Sequence, residues 1–451
     1  MTSTATPGTA IVILAAGHGT RMKSSLPKVL HPVAGLPMLG HVIKTAKSLS
    51  PERLCVVMGD HAPQVGEAAT AFTPDAQIFV QAPPRGTGDA VRCALPGLEG
   101  FNGAVFVLYA DTPLITPETL QRMALGMNAG TAVSVLGFTP PDPGAYGRLI
   151  LDGTGALARI VEARDASEEE LSVRLCNSGV MAIRSDVLFD QLPKIGNDNA
   201  KGEYYLTDIV RLARQAGGRC AVVEGDADEV LGVNSRVELA EAEAVFQRRT
   251  RKRMMEAGVT LADPSTVYFS YDTQIGNDVM VGQNVVFGPG VMVESGAQIK
   301  PFSHLEGASV KSGAAIGPYA RLRPGAEIGT KAKIGNFVEI KNSVIHSGTA
   351  VSHLSYIGDA EIGADCNIGA GTITCNYDGY RKYKTIIGAN AFIGSNTALV
   401  APVTVGDGAF VGSGSVVTED VAGDALALAR GRQVEKPGWA ISFRKKMTET
   451  E

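Results

Sequence analysis

After Pro264, an aliphatic or aromatic residue recurs at every sixth position, with a few shorter steps between runs. An α-helix has 3.6 residues per turn and cannot keep a period of six on one face. A parallel β-helix can, because three hexapeptides form one triangular coil whose aliphatic side chains point inward. The sequence therefore predicts such a solenoid, and examples of the periodic positions are Ile275, Val281, Phe287, Val293, Ile299, Ile316, Leu322, Ile328, Ile334, Ile340, Val351, Ile357, Ile393, Leu399, Val405, Val411 and Val417.

The period of six breaks once severely, where the sequence CNYDGYRKYKTI intervenes between Thr374 and Ile387. We expect a turn at Thr374 and a loop that leaves the stack of coils, because a solenoid accommodates an insertion outside its core. Loops on rigid scaffolds often carry functional residues, so this loop is a candidate part of a site.

The first half of the chain follows a different pattern, in which short apolar runs alternate with helix-like stretches. This alternation is typical of an open α/β sheet with mostly parallel strands. Between the halves, residues 236–257 carry Glu, Ala and Arg without Gly or Pro, which predicts one linker helix. The predicted strands cover residues 11–14, 54–58, 104–108, 132–136 and 180–183, and the predicted helices cover 37–49, 117–127 and 204–215.

Composition excludes several classes of protein. The 451 residues include 41 basic and 46 acidic ones, with no long basic run, which argues against a nucleic-acid partner. The six cysteines form no CxxC pair, which indicates a reducing compartment. The early apolar run at 11–16 is too short for a signal sequence or a membrane span. We therefore expect a soluble, cytoplasmic protein without a membrane partner, whose residues 1–9 are disordered.

The first predicted strand leads into a glycine-rich turn, LAAGHGTRM at residues 14–22, and Lys28 follows shortly after. Glycines after a strand let backbone N–H groups approach phosphate oxygens, and a nearby lysine adds positive charge. The sequence lacks the third glycine of a dinucleotide fingerprint and the Gly-Lys-Ser/Thr of a P-loop. Two interpretations stay open on these residues alone: a phosphate-binding loop, or a tight turn beside a surface lysine.

Asp111 follows the predicted strand at 104–108, at the edge where open α/β sheets bind ligands. Mg²⁺ takes one or two carboxylates and completes its shell with water and phosphate oxygens. Asn234 is a candidate second oxygen ligand, provided that the fold returns it to Asp111. The alternative is that Asp111 caps the helix that follows Thr112 and Pro113.

Outward-facing polar residues cluster late in the predicted solenoid. Two cations and a tyrosine suit a sugar phosphate, because arginine offers a bidentate fork and lysine a point charge. The alternative is an ordinary solvated face with a structural histidine. The residues are Arg321, Arg323, Lys341, His353, Tyr356 and Asn367.

Short motifs along the first half occur in the order typical of sugar-nucleotide pyrophosphorylases: LAAGHGTRMKSSLPKVLH, RGTGDA, LYADTPL, YGRL, IVEARDA, CNSGV, EYYLTD and GVNS. In the solenoid, SHLSYIGDAEIGADCNIGAGTITCNYDG resembles an acetyltransferase signature. Over about residues 10–440, the chain is thus similar to the bifunctional N-acetylglucosamine-1-phosphate uridyltransferase/glucosamine-1-phosphate N-acetyltransferase family.

The resemblance implies two reactions in the synthesis of UDP-N-acetylglucosamine, a precursor of peptidoglycan and lipopolysaccharide. An acetyl group passes from acetyl-CoA to glucosamine-1-phosphate, and a uridyl group then passes from UTP to N-acetylglucosamine-1-phosphate with release of pyrophosphate. It also implies Mg²⁺ as cofactor and a homotrimer. The implied domains are a Rossmann-like pyrophosphorylase domain (10–235), a linker helix (236–260), a left-handed parallel β-helix acetyltransferase domain (261–432) and a tail (433–451) that contacts CoA or a neighbouring subunit.

For uridyl transfer, the resemblance implies that Arg21 and Lys28 neutralise phosphate charge and that Asp111 and Asn234 hold the metal. It implies a nucleotide-sugar site formed by Leu14, Ala15, Ala16, Gly17, Lys28, Gln81, Gly86, Thr87, Tyr109, Ala110, Asp111, Gly147, Glu162, Asn177 and Asn234. Three residues depart from the family pattern: Ala110 replaces a glycine, Pro84 a glutamine and Asp89 a histidine.

For acetyl transfer, the resemblance implies that His353 is the general base that accepts a proton from the glucosamine amine. The sugar phosphate would contact Arg323, Lys341, Tyr356 and Asn367, and acetyl-CoA would contact Ala370, Asn376, Tyr377, Ser395, Ser413 and Arg430. Ser413 stands where alanine is frequent. Direct transfer from the thioester needs no nucleophile, so Cys366 and Cys375 are interpreted as small buried residues.

Two alternatives have their own signatures. A nucleotidyltransferase with a single activity would use the solenoid only as a scaffold, which leaves the polar set around His353 unexplained. A lyase of the carbonic-anhydrase type would use solenoid histidines as zinc ligands, and the histidines available are His304, His346 and His353.

Overall fold

A computed structural model describes residues 8–127 and 130–449, and it divides the chain into two compact units, one up to Arg249 and one from Thr250. The strands of the first unit are β1 (Gly8–Ala15), β2 (Pro32–Val33), β3 (Leu36–Pro37), β4 (Arg53–Gly59), β5 (Gln77–Gln81), β6 (Gly103–Tyr109), β7 (Thr131–Phe138), β8 (Arg148–Leu151), β9 (Leu157–Val161), β10 (Cys176–Arg184) and β11 (Arg219–Glu224). The α-helices up to residue 256 are α1 (Met38–Lys47), α2 (Pro63–Phe72), α3 (Thr87–Ala94), α4 (Pro117–Gly126), α5 (Glu168–Leu171), α6 (Ser185–Gln191), α7 (Asp208–Gln215) and α8 (Arg236–Glu256).

The main sheet has the strand order β11-β7-β10-β6-β1-β4-β5, with β8 and β9 attached to β10. Only β10 within that order runs antiparallel to its neighbours, β6 and β7. Residues 10–15 of β1 are all buried, as expected for a parallel strand covered on both faces. Separate apolar cores lie on the two faces, one with α3, α6 and α7 and the other with α1, α2 and α4. The predicted α/β fold with a mostly parallel sheet is confirmed.

The predicted helix at 204–215 begins only at Asp208. The preceding residues are held by hydrogen bonds to Arg85 and to the first residues of α3. The Tyr204 N–H donates to the Arg85 carbonyl at 2.8 Å, and the Tyr204 carbonyl accepts the Gly88 N–H at 2.8 Å. The Leu206 N–H donates to Thr87 Oγ1 at 3.1 Å. These hydrogen bonds between distant segments override the local helix pattern.

The second unit is a parallel β-helix with three faces, each a sheet of parallel strands. Face 1 contains Thr260–Leu261, Met280–Val281, Gln298–Ile299, Ala315–Ile316, Lys333–Asn336, Ala350–His353, Asn367–Ile368, Phe392–Ile393, Phe410–Val411 and Leu426–Ala427. Face 2 contains Gln274–Ile275, Met292–Val293, Ala308–Val310, Ala326–Ile328, Ser343–Ile345, Ala360–Ile362, Thr385–Ile387 and Val403–Val405. Face 3 contains Val286–Phe287, His304–Leu305, Arg321–Leu322, Glu339–Lys341, Tyr356–Gly358, Ile373–Cys375, Ala398–Val400 and Val416–Val417, and a helix, α9 (Trp439–Thr448), follows the coils.

The core of the β-helix is the column of residues that recur every sixth position. On face 1, for example, Ile334, Val351 and Ile368 are in register on successive coils and are at most 2 % exposed. The residue after each of these is often glycine because the next coil lies directly against it. A Cβ atom on Gly335 would fall 1.9 Å from the Ser352 carbonyl oxygen. The predicted left-handed β-helix is confirmed as the fold of this half.

One local expectation in the solenoid is wrong. Thr374 does not form a turn but lies in a strand of face 3, in register with Leu399, and is 1 % exposed. Its hydroxyl donates to the Gly358 carbonyl at 3.0 Å and accepts the Gly358 N–H at 2.8 Å. Threonine therefore occupies an inward position without leaving its hydroxyl unsatisfied, and the loop begins after Cys375.

The segment predicted to be disordered, residues 1–9, overlaps the first strand. Residues 1–7 of the predicted disordered segment lie outside the described residues, whereas Gly8 and Thr9 belong to β1 and correct the prediction there. Among the described residues, no helix has the length and apolar character needed to cross a membrane. All six cysteines are free thiols.

Candidate functional site

A cavity of about 360 Å³ opens at the carboxyl ends of β1, β5 and β6. Parallel strands place the residues that follow them at one edge of the sheet, which is why segments far apart in sequence meet here. Most of the nucleotide positions inferred from the resemblance line this cavity: Leu14, Ala15, Ala16, Gly17, Lys28, Gln81, Gly86, Thr87, Tyr109 and Asp111.

Lys28 links the two residues predicted to hold the metal. Its Nζ donates to Asp111 Oδ2 at 2.5 Å and to Asn234 Oδ1 at 2.9 Å. The fold therefore returns Asn234 to Asp111, and a backbone bond from the Val233 N–H to the Asp111 carbonyl at 2.8 Å holds the two segments together. Lys28 is 9 % exposed, so it is not a surface lysine. Gly19 has a φ of +60°, and a Cβ there would fall 2.5 Å from Lys28 Cβ.

The donor set around Lys28 fits a divalent cation such as Mg²⁺. A carboxylate oxygen and an amide oxygen already converge on one cationic atom, and hard oxygen ligands are those that Mg²⁺ prefers. The described residues contain no group of three or more His, Cys, Asp or Glu side chains arranged to hold a metal. This arrangement suits a metal that takes few protein ligands and completes its shell with phosphate oxygens and water.

Gln81 at the end of β5 is buried at 3 % exposure, and its amide nitrogen is fully engaged. Its Nε2 donates to the Gly86 carbonyl at 3.0 Å and to Asp89 Oδ2 at 2.8 Å. Asp89, one of the departures from the family pattern, thus orients Gln81 from the first turn of α3. The orientation leaves the Oε1 oxygen to accept a ligand hydrogen.

A second cavity of about 310 Å³ shares Thr87, Tyr109 and Glu203 with the first, and contains Glu162 and Asn177. Burial raises the pKa of Glu162, although a hydrogen bond from Thr207 opposes the shift. Glu162 and Asn177, two of the predicted nucleotide-sugar residues, therefore line a cavity beside the first one.

Gly147 lies behind the second cavity rather than in its lining. Its carbonyl accepts the Asn177 N–H at 2.8 Å, which fixes the start of β10. A Cβ on Gly147 would lie 3.6 Å from Glu162 Oε2. The Tyr109 ring packs over Gly179, where a Cβ would fall 2.9 Å from the ring.

Like Gly147, three other predicted residues lie outside the lining of both cavities: Asn234, which is joined to the first cavity by its contact with Lys28, Arg21 and Ala110. Arg21 is exposed on the short 3-10 turn Thr20–Met22. Ala110 is fully buried, and it belongs to the apolar core on the side of α1, α2 and α4. The extra methyl of Ala110 therefore packs inside the protein, and only Pro84 and Asp89 among the departures affect the cavity or its walls.

In the β-helix, the predicted acetyltransferase residues follow one edge of face 1. The register of face 1 places Ile334, Val351, Ile368, Ile393 and Val411 on successive coils. Two residues after these positions stand Asn336, His353, Ala370, Ser395 and Ser413, which we call the edge column. Adjacent coils lie about 4.8 Å apart, so His353 and Ser395 are separated by roughly 10 Å along the column.

Arg430 contacts the last residue of the edge column, because its guanidinium donates to the Ser413 carbonyl at 2.6 Å. Ser395, Ser413 and Arg430 are exposed, and Ala370 is half-buried. The structure thus brings the predicted acetyl-CoA residues of the coils to one edge. Asn367 also lies on face 1, exposed, on the strand next to the one that ends at His353.

Face 3 supplies a cluster of positive charge. Arg323 donates to Glu339 Oε1 at 2.8 Å, and Lys341 lies on the same strand as Glu339. Lys382, in the loop after Cys375, and Arg323 lower the pKa of Lys341, with Lys382 the larger cause. Like charges held this close favour an anionic ligand. Sequence reasoning missed Lys382; its signal was the position of a basic residue in the one inserted loop.

The inserted loop is anchored against face 3. Asn376, 8 % exposed, donates from Nδ2 to Asp359 Oδ2 at 2.5 Å, while Tyr377 is exposed. Its main chain turns back on itself, with an isolated bridge between Tyr377 and Lys382. The Tyr356 ring lies over Gly358, where a Cβ would fall 2.4 Å from its hydroxyl.

Cys375 is half-buried, which corrects the expectation that both cysteines near this region are buried. Cys366 is buried and donates from Sγ to the Gly388 carbonyl at 2.9 Å. Burial raises the pKa of Cys366, so the thiol form persists at neutral pH.

Comparison with known proteins shows two kinds of domain. A model of the MobA-like NTP transferase domain matches residues 11–173, and a model of the bacterial transferase hexapeptide, with six repeats, matches residues 384–419. The chain is therefore a multifunctional transferase, a nucleotidyltransferase in its first half and a hexapeptide acyltransferase in its second.

Relatives along the whole chain identify the family. The chain is 62 % identical over 432 residues to "Bifunctional protein GlmU" of Maricaulis maris, covering 96 % of this chain and 95 % of that protein. It is 59 % identical over 441 residues to the protein of the same name from Rhodospirillum rubrum, covering 97 % and 98 %. The chain belongs to the GlmU family of bifunctional enzymes, with the uridyltransferase and acetyltransferase activities that the sequence predicted.

Proposed function

We propose that uridyl transfer takes place in the two joined cavities of the first unit. The single observation that carries this assignment is the bridge from Lys28 to the oxygens of Asp111 and Asn234 at the carboxyl edge of the sheet. A sugar phosphate oxygen attacks the α-phosphorus of UTP in line, and pyrophosphate leaves. This reaction requires positioning and charge neutralisation more than covalent help.

Each cavity has a separate role in this proposal. Uracil binds at Gln81, whose free Oε1 accepts the N3–H that uracil carries and cytosine lacks. The sugar binds beside Glu162 and Asn177 in the second cavity, and Lys28 meets the phosphates between them. Arg21, exposed on its turn, contacts the leaving phosphates from outside the cavity.

Asp111 and Asn234 are the residues that would hold Mg²⁺. The bound ion supplies charge neutralisation at the phosphate oxygens. Asp111 and Asn234 hold the Lys28 ammonium group in place, and that ammonium group orients the triphosphate.

We propose that acetyl transfer takes place at the edge column. Arg323, Lys341 and Lys382 bind the phosphate of glucosamine-1-phosphate, and Tyr356 and Asn367 complete the sugar site. His353 accepts the amine proton as the nitrogen attacks the thioester carbonyl, and the CoA thiolate leaves. Acetyl-CoA extends along Ala370, Ser395 and Ser413 to Arg430, with Asn376 and Tyr377 on the inserted loop.

One experiment tests both assignments in the full chain. Incubation with glucosamine-1-phosphate, acetyl-CoA, UTP and Mg²⁺, with products identified by mass, should yield UDP-N-acetylglucosamine. His353→Ala should form this product from these substrates on the order of 10²- to 10⁴-fold more slowly, because that is the contribution of general-base catalysis. Added N-acetylglucosamine-1-phosphate should restore product formation in this variant. Failure of that rescue would contradict two independent sites, and undiminished acetyl transfer would contradict the role of His353.

We further propose a cytoplasmic homotrimer. Support for self-association comes from an apolar ladder at one corner of the β-helix, in which Phe302, Tyr319 and Phe337 stack with ring centroids 4.9 and 5.2 Å apart. These rings and Leu354 on the next coil are between 44 and 61 % exposed, and a second copy would cover them. Sedimentation of the full chain should give three times the monomer mass of 47.0 kDa. A monomer would contradict the proposal. The lyase alternative would need histidines gathered around a metal, and the described part of the chain contains no group of three or more His, Cys, Asp or Glu side chains arranged in that way.

A further inference from the structure

The ring of His353 has one hydrogen-bond partner that the two activities leave unexplained. His353 Nδ1 lies 2.5 Å from Asn336 Oδ1. The two residues end adjacent strands of face 1 and are direct register partners. The pairing of the two strands therefore sets the position of Asn336. Its half-buried amide lies against the imidazole of His353 on the next coil.

The chemistry of the pair selects one form of the histidine. An amide oxygen only accepts hydrogen bonds, so Nδ1 must carry the hydrogen of this contact. In a neutral imidazole, the lone pair is then on Nε2, the outer nitrogen. That is the nitrogen that has to receive a proton from a substrate amine. After the transfer, Nδ1 keeps its hydrogen and its bond to Asn336, so no rearrangement is needed.

The surroundings of the pair are neutral along the edge column. Ala370 follows His353 on the next coil, and Asn336 precedes it. On the strand that contains Asn336, the nearest ionisable side chain is that of Lys333, which is in register with Ala350 and lies three residues from Asn336. The next strand of face 1 after His353 is Asn367–Ile368. It carries no ionisable side chain, and the buried thiol of Cys366 precedes it. No carboxylate on these two strands competes for Nδ1.

We propose that Asn336 is a positioning residue for acetyl transfer, which holds His353 in the tautomer and orientation that leave Nε2 free as the base. The proposal rests on the proposed function, since it concerns the same site. A neutral partner orients the base without making it strongly basic. A carboxylate in its place would favour the protonated imidazolium and lower the fraction of free base at neutral pH.

The test compares two substitutions in the full chain. Asn336→Leu removes the acceptor and should lower kcat for acetyl transfer roughly 10- to 100-fold, with KM for both substrates within about twofold. Asn336→Asp keeps the shape but adds charge, and should move the acidic limb of the pH profile of kcat/KM upward by about 1 pH unit. A merely structural role of Asn336 would not move that limb.

The controls separate folding, this proposal and the proposed function. Uridyl transfer by each variant reports that the chain is folded, and Asn277→Leu removes an exposed asparagine from a distant coil and should change neither activity. An unmoved pH limb in Asn336→Asp together with unchanged kcat in Asn336→Leu would overturn the role of Asn336. If His353→Ala retained acetyl transfer in the same assay, the proposed function would fail instead.

Discussion

The two candidate sites manage positive charge in opposite ways. In the first unit, Lys28 is buried and its ammonium group is matched by Asp111 and Asn234. In the β-helix, Lys341 lies near other cations, and Lys382 and Arg323 lower its pKa. A site that orients a triphosphate and a metal needs charges of both signs. A site that only captures a phosphate gains from an excess of positive charge, because the ligand itself provides the balance.

The sites also differ in how their residues are brought together. The cavities of the first unit collect residues from β1, β5, β6 and the segment before α8, far apart in the chain. The edge column collects residues on successive coils, which the six-residue repeat brings into register around the inserted loop. The first site thus depends on the whole sheet, whereas the second depends on local register.

The largest expected effect is on the matched charge of the first site. Asp111→Ala should lower uridyl transfer on the order of 10³-fold, because it removes the carboxylate that orients Lys28 and would bind the metal. Acetyl transfer should stay within twofold of the native rate. Separate assays of pyrophosphate release and CoA thiol release measure the two activities.

The control for this prediction is Asp142→Ala, which removes an exposed aspartate from the loop between β7 and β8. It should leave both rates unchanged. Pyrophosphate release that survives Asp111→Ala at the native rate would show that the charge match at Lys28 is not catalytic.

The excess of positive charge at the second site leads to a prediction about the binding of glucosamine-1-phosphate. The expected effect is smaller than that of Asp111→Ala. Lys382→Met should raise KM for glucosamine-1-phosphate about 10- to 100-fold, because it removes a cation that contacts a charged ligand. Its neighbour Lys384 is paired with Glu361 at 2.7 Å, so Lys384→Met is the matched control and should leave KM unchanged. Equal effects of the two substitutions on KM would contradict a specific phosphate site.

Lys382→Met should also change the pH dependence of kcat/KM for acetyl transfer. Deprotonation of Lys341 removes a charge that phosphate binding uses, and nearby cations lower its pKa, so binding of glucosamine-1-phosphate should weaken on the alkaline side. Lys382→Met removes the main cause and raises the pKa of Lys341. The alkaline limb of kcat/KM for acetyl transfer should therefore move to higher pH, and a shift to lower pH would contradict this account.

A smaller effect tests how Gln81 is oriented in the first site. Asp89→Ala removes one of the two acceptors of the Gln81 Nε2 hydrogens. The loss of one such hydrogen bond, about 1 kcal/mol, should raise KM for UTP about fivefold and reduce the preference for UTP over CTP. A change in UTP affinity without a change in that preference would mean that Gln81 does not read the base.

The smallest effect concerns Ala110, which stands beside Asp111 in the sequence. Ala110→Gly restores the residue common in the family, yet the Ala110 methyl is fully buried in the core. KM for UTP should therefore stay within twofold, while the free energy of unfolding falls by about 1 kcal/mol in urea titrations. A large change in KM with unchanged stability would place the methyl at the ligand after all.

The sequence by itself determined the β-helix and the α/β class. A period of six is a property of neighbouring coils, and buried apolar runs with helices between them are a property of local segments, so both are visible along the chain. The motifs also placed Lys28, Asp111 and His353 among the functional candidates. The turn expected at Thr374 was wrong because a hydroxyl bonded to the main chain substitutes for an aliphatic side chain.

Only the tertiary structure decided which candidates meet. The return of Asn234 to Asp111 depends on the path of the whole first unit. The approach of Lys382 to Lys341 depends on how the inserted loop folds back. The contact of Asn336 with His353 depends on the register between two coils. The contact of Lys28 with Asn234 joins residues 206 positions apart, and that of Asn336 with His353 joins residues 17 positions apart. The six-residue repeat predicts that successive coils stack, but no local pattern encodes the return of Asn234 or the path of the inserted loop, because these result from packing over the complete chain.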